Sequence, residues 1–325
     1  MLPNFSYVRP ETLNKASHHL VDGAAVIHAG GTDLLGCLHD GVFGADKVVS
    51  LGGFDSLRGI RRSSDGGLRI GALTSISEVA EDERVLQRYP ALAEAAAEVA
   101  SPQLRNQGTL GGNICQKPRC WYYRGEFDCL RKGGKICFAV GGENQYHCIL
   151  GGKSCFIVHP SDTAPALLAL NAEVKIASYG GERSVPLADF HVPPAEDPQK
   201  ETVLKLGEIV TEILLPPPAG GLYSRYRKIR SRQAWDFALA GMAIALDMEG
   251  GRAKTARIVL SGAAPVPWRS QEAEDVVAGR SLNEKVASEA ARAALKPAKA
   301  LGKNGYKLNV FRGMIEEELL RAAGG

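Results

Sequence analysis

The segment LLPPPAGG at residues 214–221 sets the strongest limit on how this chain folds. Three consecutive prolines lack amide hydrogens and two glycines follow, so neither a helix nor a strand ladder continues through it. The chain divides here, and its two sides carry different periodicities. Before the break, short apolar runs alternate with helical patterns. After it, LYSRYRKIRSR and WDFALAGMAIALDMEGGRAKTARIVLSGAAP read as antiparallel strands, two of them joined through Glu249-Gly250-Gly251. From about Asn283 to Ala323 the tail is mostly helical. A chain of 325 residues has room for two or three such units, each with its own core.

Residues 1–58 read as strand, helix, strand, helix, strand. PETLNKASHHL enters a helix at a proline and carries apolar residues at Leu13, Ala16 and Leu20. AAVIHA is a buried strand ending at Gly30-Gly31-Thr32-Asp33, LLGCLHDGV a brief helix, and DKVVSL a further strand. The strand LRIGAL then leads into a helix whose Ser75 and Glu78 form a capping-box pattern. DERVLQRYPALAEAAAEVA is expected as one longer amphipathic helix, and SPQLRNQGTLGGNIC as a polar, glycine-rich loop. HPSDTAPALLAL is helical, while AEVKIAS and VTEILLP are strands.

Charge excludes some classes of partner. With 39 basic against 36 acidic residues the net is +3, too even to mark a nucleic-acid surface. No apolar run approaches the ~18–20 residues of a membrane span. MLPNFSYVRPETL has no basic-then-apolar export pattern.

Two glycine turns and one cysteine-rich stretch carry chemistry. Gly30-Gly31-Thr32-Asp33 follows a strand and precedes a helix, where free amides and an absent Cβ suit an anion, though many such turns are only turns. Thr109-Leu110-Gly111-Gly112-Asn113 repeats that chemistry, and two such loops suit a dinucleotide pyrophosphate. Neither matches the G-x-G-x-x-G pattern of a nicotinamide site.

Five of the seven cysteines fall between Cys120 and Cys155. Cys120, Cys129, Cys137 and Cys155 are spaced C-x8-C-x7-C-x17-C, without the close pairs of zinc knuckles or the ferredoxin run. Three readings stay open: a metal or iron–sulfur site, buried structural cysteines, or a redox disulfide. An odd cysteine count disfavours a disulfide framework. A cluster takes four thiolates, so at least one cysteine of this stretch is a bystander, and Cys148 and Cys115 are extra.

AGGTDLL (29–35), LRIGALT (68–74), TLGGNIC (109–115), HPSD (159–162) and YRK (226–228) occur in this order. Together they resemble the FAD-binding medium subunit of the molybdenum hydroxylase (xanthine dehydrogenase) family, over nearly the whole chain. The cysteine stretch resembles an insertion found in a subset of that family, including the 4-hydroxybenzoyl-CoA reductase β subunit and the FAD subunit of bacterial periplasmic aldehyde oxidoreductase.

The resemblance implies an α+β chain. A two-subdomain FAD-binding fold of the PCMH/vanillyl-alcohol-oxidase type would occupy residues 1–58 and 59–214, with the iron–sulfur insertion at about 116–158. A small α+β domain of the CO-dehydrogenase-flavoprotein type would occupy 215–325. It implies FAD, held by the backbone of Ala29, Gly30, Gly31, Thr32, Asp33 and Leu34 on one side, and by Thr109, Gly111, Gly112 and Asn113 on the other. Asp162 would bond the sugar or ribityl part, Lys228 would lie near the pyrimidine end of the isoalloxazine, and Ile209 would be an apolar contact. Cys120, Cys129, Cys137 and Cys155 would hold a 4Fe–4S cluster. The implied partners are a large molybdenum-cofactor subunit, a small subunit with two 2Fe–2S clusters, and a ferredoxin or other electron acceptor. The compartment is the cytoplasm, or the periplasm if a partner's signal exports the complex.

Plainer roles compete with each of these. Asp162 has the residue type of an N-cap for TAPALLAL. On a strand, Lys228, Arg230 and Arg232 would form one solvated row. His147 and His159 read as structural, His28 as the end of a strand, and Trp121, Tyr122 and Tyr123 as lids over a cluster or as loop anchors. Two other classes of function remain at this level: a self-contained flavin oxidoreductase, and a zinc-stabilised scaffold without redox chemistry.

Overall fold

The computed structural model describes residues 2–324 and contains three sheets. In the first, β1 (Ser6–Val8), β2 (Ala25–His28) and β3 (Lys47–Ser50) run parallel in the order β1-β3-β2. Parallel neighbours need crossovers, and α1 (Leu13–His19) and α2 (Leu34–His39) supply them. Pro10 stands ahead of α1 rather than inside its first turn. Thr12 caps that helix, its hydroxyl accepting from the Lys15 amide at 3.2 Å.

The second sheet is antiparallel: β4 (Ile60–Arg62), β5 (Leu68–Gly71), β6 (Glu173–Ser178), β7 (Gly181–Pro186) and β8 (Ile209–Leu215), in the order β4-β5-β8-β6-β7. Alternation places Leu68, Ile70, Val174, Ile176, Ile213 and Leu215 in its core, each burial contributing ~1.5–3 kcal/mol. Against that face lie α3 (Ile76–Glu81), α4 (Glu83–Arg88) and α5 (Pro90–Ala97). The expected capping box is present, with Ser75 and Glu78 bonding each other's backbone. The expected single helix over 82–100 is instead broken, because Pro90 has no amide to donate and forces Tyr89 to an extended φ of −141°. The Tyr89 hydroxyl then donates to the Pro216 carbonyl at 2.6 Å, tying the break to the proline linker.

SPQLRNQGTLGGNIC is more ordered than its composition suggests. Ser101 caps α6 (Pro102–Gln107) and Thr109 caps α7 (Leu110–Ile114). The cysteine stretch is mostly irregular, with one turn of helix, α8 (Trp121–Arg124), before the chain re-enters the core at α9 (Thr163–Ala169).

Past the linker, β9 (Leu222–Ile229), β10 (Ala240–Glu249), β11 (Arg252–Ser261), β12 (Trp268–Arg269) and β13 (Arg280–Ser281) form the third sheet. Gly250 and Gly251 take φ of +56° and +75°, the turn that a twisted β10–β11 hairpin favours. α10 (Gln271–Val277), α11 (Glu284–Leu295) and α12 (Tyr306–Ala323) cover that sheet with Val277, Ala290, Phe311 and Ile315. Among the described residues no helix is long and apolar enough to cross a membrane.

Candidate functional site

The first glycine turn leaves β2 at His28 and enters α2. Gly31 has φ +73°, and a Cβ there would also lie 2.8 Å from the His28 ring. A Cβ on Gly30 would sit 2.0 Å from the Gln107 carbonyl oxygen, so only glycine lets this turn press against the second one. The amides of Gly30, Gly31, Thr32 and Asp33 donate to no acceptor among the described residues. The second turn is braced by backbone bonds from Leu110 to Thr74 and from Gly111 to Ala72, each 2.9 Å. The Thr109 hydroxyl accepts from the Gly112 amide at 3.2 Å.

Between the turns lies a cavity of about 350 Å3, within the ~300–1,000 Å3 common for cofactor sites. Ala29, Gly30, Gly31, Thr32, Asp33 and Leu34 line it with Thr109, Gly111, Gly112 and Ile209. An adjoining cavity of about 150 Å3 shares Thr32, Asp33, Thr109 and Gly112, and adds Asn113 and Asp162. Of the residues assigned to the cofactor, Lys228 alone lines neither cavity. Its ammonium is fully buried behind the wall, donating to Asp162 at 2.7 Å and to the Glu98 carbonyl at 3.0 Å.

That geometry corrects two plainer expectations. Asp162 stands at the N-cap position of α9 without capping it: its backbone is already helical and its carboxylate makes no capping bond, while the Ser161 hydroxyl accepts from the Ala164 amide at 2.9 Å. Nor is there a solvated row of cations. β9 ends at Ile229, Lys228 is buried, and Arg230 pairs with Glu98 at 2.6 Å. Burial pushes the Asp162 carboxyl above its ordinary range, opposed by Lys228 and by the Tyr226 hydroxyl, which donates to it at 2.7 Å. Tyr226 has no role in the sequence reading, although it stands in the quoted YRK. Asn113 turns its carbonyl oxygen to Ser161 and Thr163, at 2.5 and 2.7 Å, and so clamps the second turn to the start of α9.

Cys120, Cys129, Cys137 and Cys155 line one small cavity, with Tyr122, Tyr123, Phe138, His147 and Ile157 around them. Cys148 is not among its walls, and Cys115 lines the glycine-turn cavity instead. Among the described residues no three His, Cys, Asp or Glu side chains converge closely enough for a single metal ion. A zinc centre needs that convergence, whereas a multi-iron cluster spreads its thiolates around a larger core. Cys137 and Cys155 face each other closely enough to titrate together, the shared proton holding Cys137 below and Cys155 above the ordinary thiol range. Burial pushes the Cys120 thiol up to about 11, and Cys115 and Cys148 each to about 12. Four thiols facing one another around one cavity form a donor set that fits iron and sulfide.

Of the aromatic run, Tyr122 and Tyr123 line the cysteine cavity, while Trp121 is half exposed and meets Tyr146 edge-on at 5.6 Å. His159 meets His191 edge-on at 4.3 Å in the core, and His28 ends β2, as a structural reading requires. His147 stands 3.3 Å from the Cys120 sulfur, closer to the site than that reading implies.

The side chain of Asp33 joins the two sites. Its carboxylate accepts from the Lys117 amide at 2.7 Å, and pairs with Arg124 at 2.7 Å and Arg119 at 2.9 Å. Glu201 does the same from another loop, pairing with Lys117 and with the buried Arg131 at 2.7 Å. Neither anchor is visible in the sequence, because the paired residues stand 84 and 70 positions apart.

Residues 3–218 match the family described as the FAD binding domain in molybdopterin dehydrogenase, and residues 224–322 the CO dehydrogenase flavoprotein C-terminal domain. The fold and its paired glycine turns are those of a flavin-binding oxidoreductase subunit. The chain belongs to the family of FAD-binding medium subunits of the molybdenum hydroxylases. It is 38% identical to the aldehyde oxidoreductase FAD-binding subunit PaoB of Escherichia coli (strain K12), over 83% of this chain and 85% of that one. It is 31% identical to the xanthine dehydrogenase FAD-binding subunit of Escherichia coli O157:H7, over 86% and 80%. Among solved structures, carbon monoxide dehydrogenase from Hydrogenophaga pseudoflava superposes with a TM-score of 0.78 at 26% identity, covering 99% of this chain and 98% of that one.

Proposed function

We propose that this chain relays electrons inside a molybdenum hydroxylase complex, through FAD between the glycine turns and a 4Fe–4S cluster on Cys120, Cys129, Cys137 and Cys155. The observation that carries the reading is the pairing of two sites. Two glycine turns wall a cofactor-sized cavity, four cysteines face one another around a small one beside it, and Asp33 ties the two regions together. A large molybdenum-cofactor subunit and a small subunit with two 2Fe–2S clusters are the partners that similarity to such medium subunits supports. A ferredoxin-like protein is the external acceptor in this scheme. The division at residues 58 and 214 is part of the proposal; the first falls between two sheets, and the second lies one residue before β8 ends at Leu215.

FAD, when bound, exchanges electrons singly with clusters and singly or in pairs with other partners. The chain's own residues do the rest. The unpaired amides of Gly30–Asp33 would donate to the pyrophosphate oxygens, and Gly112, on the facing wall, brings no side chain into the cavity. Asp162 presents its carboxylate to the smaller cavity, held in orientation by Tyr226 and Lys228. The buried lysine compensates that carboxylate and gives the region a cation beside the flavin end of the cleft.

The test is a purification of the chain with its partner subunits, followed by cofactor analysis. One FAD and about four irons beyond those of the small subunit are expected. A colourless chain containing zinc would sink the proposal, and turnover of an organic substrate by the chain alone would replace it with a self-contained flavoenzyme.

A further inference from the structure

Lys307, in the first turn of α12, is the most unusual charge in the molecule. Its side chain is fully buried, yet among the described residues its ammonium donates only to the carbonyls of Gly262 at 2.7 Å and Tyr146 at 3.2 Å. Among the described residues no carboxylate answers it. A buried cation without a counter-charge is strongly unfavourable, and burial here brings Lys307 down to about 8. The other buried lysine, Lys228, has Asp162 as its partner.

Lys307 lies outside the walls of the cysteine cavity, one residue layer behind His147. Tyr146, its acceptor, precedes His147, which lines the cysteine cavity and stands 3.3 Å from the Cys120 sulfur. The same end of α12 fastens this part of the insertion. Asn304 donates to the carbonyls of His147 and Cys148 at 3.1 and 3.0 Å, and the Tyr306 hydroxyl donates to the Gln145 carbonyl at 3.0 Å. Lys303 pairs with Glu143, and its amide donates to the Asn144 side chain at 2.8 Å. The segment 303–307, which leads into α12, thus grips residues 143–148 and buries one ammonium beside them.

We propose that Lys307 is the counter-cation of the iron–sulfur site, placed by the C-terminal domain to stabilise the reduced cluster and raise its reduction potential. The inference rests on the cluster reading given above. A cluster held there would become one unit more negative on one-electron reduction, with no bond formed or broken. Lys307 keeps its proton, and its attraction to the cluster grows with that added charge. In a buried, poorly screened setting the effect outlasts salt. Charge, hydrogen bonding and burial are the levers by which a protein sets cluster potentials.

Iron analysis of the wild-type complex comes first. If this chain holds no cluster iron, the cluster reading fails and this proposal goes with it. With iron present, a potentiometric titration followed by electron paramagnetic resonance compares wild type with Lys307→Met. The variant should keep its iron and show at least a tenfold weaker reduction equilibrium, a midpoint lower by ~59 mV for a one-electron couple. Lys307→Arg should restore most of the shift. A purely structural lysine would lower stability and leave the midpoint unmoved, and full iron with an unmoved midpoint overturns the proposal. Should Lys307→Met fail to fold, Lys307→Gln, which retains hydrogen bonding to the two carbonyls without the charge, gives the same readout.

Discussion

The flavin cleft and the cysteine insertion are neighbours built on opposite plans. The cleft is made of backbone: two glycine turns held by ladders and helix starts, with Gly30 packed on Gln107 and Gly111 bonded to Ala72. The insertion is made of side chains. It has little regular structure, and Asp33, Glu201 and the end of α12 hold it from outside. A backbone site is pre-formed by folding alone. A side-chain site depends on charges arriving from distant parts of the chain, and on whatever its sulfurs bind.

That contrast can be broken by experiment. The largest effect should come from the insertion itself: Cys129→Ser or Cys137→Ser should strip about four irons per chain, while Cys148→Ser leaves the iron count unchanged. Iron assay decides it, and an indispensable Cys148 beside a dispensable Cys129 would refute the ligand set. Next comes the cleft. Gly31→Val and Gly30→Ala should each cost most of the bound FAD, because the first strains a φ of +73° and the second drives a Cβ into a carbonyl. Circular dichroism should stay close to wild type, and a variant purifying with full flavin would remove that turn from the site.

Asp33→Asn sharpens the comparison, since this residue serves both regions. Its side chain faces Arg119 and Arg124, whereas its backbone faces the cleft. The expected outcome is faster hydrogen exchange over residues 117–124, a local loss of ~1–3 kcal/mol, with FAD retained. Simultaneous loss of FAD would show that the two sites are not separable. Tyr226→Phe should cost less, ~1 kcal/mol for one hydrogen bond to Asp162, read as a small fall in melting temperature.

The smallest expected effect is on pH dependence. Burial lowers His191 from 6.5 to about 4, and His159 well below 6.5. Between pH 6.5 and about 4 the unfolded chain therefore binds protons that the folded chain refuses, and stability falls as pH falls through that window. His191→Asn should flatten the slope in denaturant melts from pH 7 to 5, and an unchanged slope would place the titration elsewhere.

Much of the architecture was legible because its determinants are local. The capping box of Ser75 and Glu78, the strand-turn-helix around Gly30, and the hairpin at Gly250-Gly251 are each written within a few residues. Thr109 and Asn113 also fall on the wall they were assigned to, since the second turn is as local as the first. The misreadings have physical causes as well. Pro90 splits a helix that apolar periodicity alone would continue, and Asp162 has the right chemistry for a cap but the wrong backbone conformation.

Sequence by itself therefore determined most of the elements, their order and the two glycine turns, all properties of short stretches of chain. Only the tertiary structure decided that Lys228 lies behind Asp162, that Tyr226 completes that group, that Asp33 and Glu201 anchor the insertion, and that Lys307 is buried without a carboxylate. These are contacts between residues dozens of positions apart. Their energy depends on burial and mutual orientation, which no local pattern of residues encodes.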